Sequence, residues 1–486
     1  MRPQVQFLDA EGVDQILTEG FALLSHPGIL IENQEARDLL RQAGADVDAE
    51  TQVAHIPENL ARQALASCPD QFWLYDLDGN PAVNYGGDHV HFDPGSAALN
   101  LLDRDTQRAR EPLTEDFVQL VKIVEMLPQL DAQSTAVVCA DVPEQIGDLY
   151  RLYLALNFMR KPIVTGAFRI DTWQIMAEML GVVAGGSEQL REKPIAIFDV
   201  CPSPPLKWSN LTCQNLIDCA RAGIPAEMVS MPLAGATAPV TLAGAVVQHT
   251  AECLSGITIA QLARKGAAVV WGGSPAVFDM RQGTTPMGAV GTWMIDCAYT
   301  QVGKALNLPT HAYLGMSDAK LVDAQSGLES AGGTLLAALA GVNMVSGAGM
   351  MAFENCQSLE KLVVDAEIIG MAKHLIQGIQ IRETPLASRL IQNIGHGSNF
   401  ITSNHTYRWF REEFYFPSEI IDRQPPEIWE EQGAFTAWDR AVQRVDNLLE
   451  AWDAPPLDRK LAGELRKITS RAAKSFGMDQ LPPLPN

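Results

Sequence analysis

IAIFDVCPSPPLKWSNLTCQNLIDCARAGIPAEMVSMPLAGATAPV, residues 195–240, decides the architecture. Its two short apolar runs, 195–201 and 226–231, lack the strict apolar–polar alternation of a half-solvated strand and read as strands buried on both faces. Residues 210–222 between them carry a helical pattern. Strand, helix and strand in that order make a parallel βαβ unit.

The unit recurs in both directions along the chain. Further strands are expected at 134–139, 162–166, 267–272, 310–315 and 342–346, with helices at 144–159, 172–183, 242–263, 292–306 and 332–339. Seven strands are clear, and 97–102 or 378–382 supplies an eighth. The series predicts an α/β fold of the (β/α)8 barrel type rather than a doubly wound sheet. The barrel is assigned to 113–425 as the catalytic unit. Residues 1–112 form an N-terminal extension with helices at 13–25, 33–43 and 57–66. It continues into β-hairpins marked by the turn signals Asp78-Gly79-Asn80-Pro81 and Gly86-Gly87. Residues 426–486 form a C-terminal helical tail (428–451 and 459–475) interrupted by Ala454-Pro455-Pro456-Leu457. This tail is expected to wrap the barrel or join a subunit interface in a homo-oligomer.

With 47% hydrophobic residues, the 486-residue chain has ample material for a core. Its 36 basic residues against 58 acidic ones, net −22, disfavour nucleic acid and suit a cationic substrate or a basic partner. The eight cysteines contain no C-x-x-C pair and are expected to be reduced. No leader pattern opens the chain and no apolar run reaches the roughly 20 residues that span a bilayer, so a cytoplasmic, non-membrane location is expected.

Barrel chemistry sits at the carboxyl ends of strands. Neither phosphate-loop nor dinucleotide fingerprints occur there, nor G-x-S-x-G. His89-x-His91 has no close carboxylate or thiolate to complete a metal site, and no tightly bound metal is expected. The strand ends do gather carboxylates (Asp199, Asp318, Glu329, Glu354) and aromatics (Phe92, Trp271, Tyr313, Phe353), groups that hold an alkylammonium ion by charge and cation–π attraction. Asp199, Asp318 and Glu329 are the candidate catalytic residues. Phe92, Met231, Trp271, Arg281, Tyr313, Lys320, Gln325, Phe353 and Glu354 are the candidate substrate contacts. The same aromatics could be core packing, and the acids could pair with Lys320 or Arg281. Two other functions use the same residues: a barrel enzyme acting on another small molecule through Lys320 as amine nucleophile or Asp318 as base, and a non-catalytic quaternary-amine-binding barrel.

SPPLKWS, GIPAEMVSMPLAGATAPVTLAGAVV, SPAVFDMRQGTTPMGAV, SDAKLVDAQSGLES and HTYRWFREEFYFP, preceded by FDPGSAALNLLD, stand in the order of the signature segments of the trimethylamine methyltransferase family. The chain resembles that family over roughly residues 10–470. The resemblance implies methyl transfer from a methylated amine to the cobalt of a corrinoid (cobalamin) carried by a cognate partner protein that docks at the barrel mouth. Cobalt(I) then serves as nucleophile, and the enzyme orients the methyl group and excludes water. The archetypal branch carries pyrrolysine. Here every residue is ordinary, as in the branch that includes enzymes for quaternary amines such as glycine betaine. Segment DAQSGLE is expected to face the position of the missing residue. A betaine carboxylate would require a donor such as Arg281, Lys320 or a backbone N–H pair.

Overall fold

The computed structural model describes residues 2–453 and 457–485. Eight parallel strands follow one another around a ring: β1 (His91–Pro94), β2 (Gln133–Ser134), β3 (Ile163–Thr165), β4 (Ala196–Val200), β5 (Ala226–Ser230), β6 (Val269–Gly273), β7 (His311–Tyr313) and β8 (Met344–Ala348). Pairing is continuous from β2 through β6 and from β7 through β8 to β1. Hydrogen bonds cross both seams: Trp271 N–H donates to Pro309 O at 2.8 Å, and Asp131 N–H to Phe92 O at 2.8 Å. The result is a (β/α)8 barrel.

The eighth strand lies in neither expected segment. It is β1, inside the stretch read as hairpins and ahead of residue 113. Residues 100–102 form a short rim strand instead, and 378–382 contain no strand. His91 and Asp93 hid β1 from a search for apolar runs; Asp93 is polar because it points into the upper barrel interior.

The interior has two layers set by the two-residue repeat of each strand. Towards the amino ends, Val164, Ile197, Val270 and Met344 pack against Leu74, Val83 and Tyr85. These last three belong to an antiparallel hairpin, Gln71–Tyr75 with Pro81–Gly86, which plugs that end of the barrel. Towards the carboxyl ends the inward positions become polar: Asp93, Asp199, Glu227, His311 and Ser346. Their outward neighbours, Phe92, Phe198, Met228 and Trp271, meet the surrounding helices.

The helices are α1 (Thr114–Met126), α2 (Gly147–Phe158), α3 (Ile170–Ala184), α4 (Asn210–Ala222), α5 (Leu242–Ala263), α6 (Val290–Ala305), α7 (Ala324–Ala340) and α8 (Leu359–Leu375). Helix α5 lacks a polar face because the N-terminal helices Ala10–Ser25 and Glu58–Leu65 cover its outer side. Helix α7 starts eight residues before the expected position. Asp323 caps it by accepting from the Gln325 and Ser326 N–H groups, so the DAQSGLE segment is a helix start rather than a mouth loop. Its glycines permit close approach: a Cβ on Gly333 would lie 1.9 Å from Leu314 O. Gly333→Ala should therefore force α7 off β7, costing about 1–3 kcal/mol or more. Thermal denaturation should show a midpoint several degrees lower, and an unchanged midpoint would refute this packing. In the tail, helix Ala437–Ala451 packs on α8 and α1, and Arg459–Ser475 on α3 and α2. Of the expected linker between them, Ala454, Pro455 and Pro456 lie outside the described residues. No helix among the described residues is long and apolar enough to cross a membrane.

Candidate functional site at the carboxyl ends of the strands

A cavity of about 420 Å³ opens at the carboxyl ends of the strands, the end opposite the hairpin plug. Its wall is built from strand ends and the loops that follow: Gly166, Ala167 and Phe168 after β3, Asp199 of β4 with Cys201 just after it, Val229 of β5 with Met231 just after it, Ser274 after β6, and Tyr313 of β7. Helices α2 and α4 add Arg151 and Asn215. Glu354 arrives from the loop after β8. There Met350–Met351 pairs with Cys356–Gln357, and the turn between them holds Ala352, Phe353 and Glu354 all in the left-handed region, at φ 49°, 63° and 63°. Three successive non-glycine residues in that region are costly, and such strain collects where a side chain must be aimed.

Asp199 and Glu227 face each other in register on β4 and β5. Two ionised carboxylates so placed repel, which favours a state in which one of them keeps its proton. Burial raises both well above the ordinary carboxylate range, and the Asp199 charge raises Glu227 further. Tyr313 Oη donates to Asp199 Oδ2 at 3.4 Å, and Tyr85, reaching up from the plug, donates to Glu227 Oε2 at 3.2 Å. His311, kept neutral by burial, which lowers it to about 3, lies 3.0 Å from Ser346 Oγ, which donates to Asp93 Oδ1 at 2.5 Å. Burial also raises Asp93. Glu354 is pushed up to about 7 by burial, with the Ser274 hydroxyl at 3.4 Å drawing it the other way.

Arg151 is wholly buried in this wall. Its Nη1 donates to Thr135 O at 2.5 Å and its Nε to Gly147 O at 3.2 Å, and the guanidinium lies 4.6 Å from the Phe168 ring centre. Nη2 has no hydrogen-bond partner, and neither Asp199 Oδ1 nor Asn215 Oδ1 receives a donor. Burial lowers Arg151 to about 10, which leaves it charged at neutral pH. The wall thus presents one cation, two acids poised near neutrality, and the aromatic faces of Phe168 and Tyr313. That combination suits a zwitterion with separated charges.

Of the residues nominated from sequence, Asp199, Met231, Tyr313 and Glu354 line the cavity. Phe92 and Trp271 sit on the outer face of the barrel: Phe92 lies beneath Lys373, and the Trp271 indole N–H donates to Tyr299 O at 3.0 Å. Asp318, raised to about 6 by burial, accepts from the Met287 and Gly288 N–H groups at 2.9 and 2.8 Å. Glu329 accepts from Ser317 Oγ at 2.6 Å, Asp318 N at 2.8 Å and Gln325 Nε2 at 3.0 Å. Asp318 thereby ties the β7–α7 loop to the β6–α6 loop, and Glu329, with Gln325, ties α7 to the β7–α7 loop. Lys320 donates to Asp318 O at 2.7 Å and lies 4.1 Å from the Phe353 ring centre, so both are engaged outside the cavity lining. Arg281 is 87% exposed and pairs with its neighbour Asp279. Asp93, Arg151, Phe168, Asn215 and Glu227 were not nominated. A charged residue within the apolar run of α2 was the available signal for Arg151.

Among the described residues no group of three or more His, Cys, Asp or Glu side chains could hold a metal ion. His91 instead faces Asp131 at 3.4 Å.

A cationic ligand favours ionised carboxylates. Affinity for a quaternary ammonium should therefore rise between about pH 6 and 8, as Glu354 ionises near 7 with the raised Asp199, and fall below that range. Calorimetry in buffers of different ionisation enthalpy should register proton release on binding. Affinity independent of pH would show that these acids do not meet the cation.

The family described as trimethylamine methyltransferase (MTTB) matches residues 1–477. The chain is 31% identical over 463 residues to the trimethylamine methyltransferase MttB of Desulfitobacterium hafniense strain DSM 10664, covering 95% of this chain and 93% of that one. It is 28% identical over 477 residues to the glycine betaine methyltransferase of Desulfitobacterium hafniense strain Y51, covering 98% of each. The monomethylamine methyltransferase of Methanosarcina barkeri shares the fold with a TM-score of 0.54 at 12% identity, covering 97% of this chain and 89% of that one.

Proposed function

The chain belongs to the trimethylamine methyltransferase family, and from that premise we propose that it transfers a methyl group from a quaternary methylated amine bearing a carboxylate, as glycine betaine does, to the cobalt of a corrinoid carried by a partner protein. The observation that supports this reading most is the cavity wall: among the described residues that line it, Arg151 is the only Lys or Arg, and it shares the lining with the acids Asp199 and Glu354. Tertiary amines such as trimethylamine carry no group for Arg151 to meet.

The residues fit a methyl acceptor that comes from outside the chain. Among the described residues Cys201 is the only cysteine in the wall, and burial pushes its thiol up, which disfavours a thiolate. Lys320 is occupied elsewhere. Bound corrinoid supplies the nucleophilic cobalt, while this chain's residues hold the ammonium group, orient one methyl towards the mouth and exclude water. Phe168 and Met231, both substantially exposed at the rim, offer apolar surface to the docking partner. The displaced tertiary amine leaves neutral, its nitrogen keeping the electron pair of the broken C–N bond, beside a Glu354 that binding of the cation has left ionised. A cytoplasmic location accords with eight free cysteines, six of them buried.

The test is anaerobic mixing of the purified protein with cob(I)alamin and, in turn, glycine betaine, proline betaine, carnitine, choline and trimethylamine, following the absorbance change to methylcobalamin. Conversion with a carboxylate-bearing quaternary amine supports the reading. No conversion with any of them, also after adding candidate corrinoid proteins, removes it.

A further inference from the structure

Three buried polar atoms of the cavity wall have no hydrogen-bond partner among the described residues: Arg151 Nη2, Asp199 Oδ1 and Asn215 Oδ1. The substrate proposed above accounts for two of them. Its carboxylate meets the guanidinium, and its ammonium group faces the acid. The third atom is a neutral acceptor, and glycine betaine has no N–H or O–H with which to meet it.

Asn215 points from α4 into the wall and is 2% exposed. Its own amide fixes its orientation: Nδ2 donates to Ala167 O at 3.1 Å, and a flipped amide would set oxygen against oxygen. Oδ1 is therefore the free end. Buried acceptors are rarely left unmet. A bridging water needs several polar partners and is poorly served here. Ala167, Phe168 and Leu211 offer apolar side chains, and the Thr212 hydroxyl pairs with Ser209 Oγ at 3.0 Å.

The acceptor stands beside the carboxylate end of the site. Asn215 braces Ala167 O, and the next residue, Phe168, carries the Arg151 guanidinium 4.6 Å from its ring centre. A donor that reaches Oδ1 there must be uncharged, because an ammonium N–H would place a second cation beside Arg151. A hydroxyl on the chain between the substrate's two charges meets both requirements. At about 420 Å³ the cavity has room for it, since this size lies in the range that encloses ligands well beyond glycine betaine.

We propose that the substrate is a quaternary ammonium carboxylate that also bears a hydroxyl near its carboxylate, and that Asn215 Oδ1 accepts from that hydroxyl. This rests on the reading of the cavity as the site of a carboxylate-bearing quaternary amine. Three fixed points of attachment also make the site chiral.

The experiment is calorimetric titration of the full chain at about pH 8 with glycine betaine, the two enantiomers of carnitine, and γ-butyrobetaine, which is carnitine without its hydroxyl. One enantiomer should bind about 10–100-fold more tightly than γ-butyrobetaine. The other, whose hydroxyl points away from Asn215, should lie near the deoxy compound. Asn215→Leu keeps the branched shape and removes the acceptor, so both preferences should shrink to within about threefold. A displaced β3–α3 loop alone would weaken all four ligands alike and leave the preferences intact. Equal affinity of the wild type for γ-butyrobetaine and both carnitines overturns the proposal, as does a hydroxyl preference that survives Asn215→Leu. Binding of glycine betaine without either longer amine also overturns it, and leaves the proposed reaction class standing. Failure of all four ligands to bind removes that reaction class as well.

Discussion

Arg151→Met should lower kcat/KM for glycine betaine, or whichever carboxylate-bearing quaternary amine proves to be the substrate, by about 100-fold or more, and leave binding of choline within about threefold. Methionine keeps the apolar contact with Phe168 and much of the volume, so the main loss is the charge and the free Nη2. Removing one partner of a desolvated, hydrogen-bonded charge pair costs about 2–5 kcal/mol, of which each 1.4 is a factor of ten. Most of the loss should fall on KM, because the carboxylate keeps its charge throughout methyl transfer. Equal losses for glycine betaine and choline would make Arg151 a scaffold residue for the backbone carbonyls of Gly147 and Thr135, and would withdraw the carboxylate from the proposed substrate.

Asp199→Asn and Glu354→Gln should each weaken binding of the quaternary cation by about 10–100-fold, on the scale of 1.4–2.8 kcal/mol, for loss of a partly desolvated charge a few ångströms away. The asparagine amide can donate to the facing Glu227, so geometry is kept while charge is deleted. The paired variant should also lose the rise in affinity between about pH 6 and 8. Calorimetric titration checks both effects. Retention of that rise in the paired variant would assign it to another group, with Asp318, raised to about 6, the next to test.

The barrel was legible from residues 195–240 outward because a strand covered on both sides must be apolar and a helix must return the chain to the next one. β1 was not legible by that rule, since Asp93 belongs to the polar interior layer and its strand reads as a loop. The same alternation separates the nominated aromatics. Tyr313 is two residues from inward-facing His311 and so points inward, whereas Phe92 and Trp271 each stand one residue away from inward positions and pack against helices. Asp318 and Glu329 were drawn to the site by their nearness to a strand end, yet backbone N–H groups satisfy them, so they hold loops together. Arg151 escaped notice because it lies on a helix, and only the folded chain shows α2 presenting it to the cavity.

The hairpin Gln71–Gly86 closes one end of the barrel, so among the described residues the cavity opens at the other. On the proposed function, methylated amine, corrinoid partner and demethylated product would share that opening, so the amine should enter before the partner covers the threshold and the spent amine should leave only after the partner departs. In steady-state kinetics, excess corrinoid protein should then inhibit by blocking the entrance, and excess amine should relieve that inhibition.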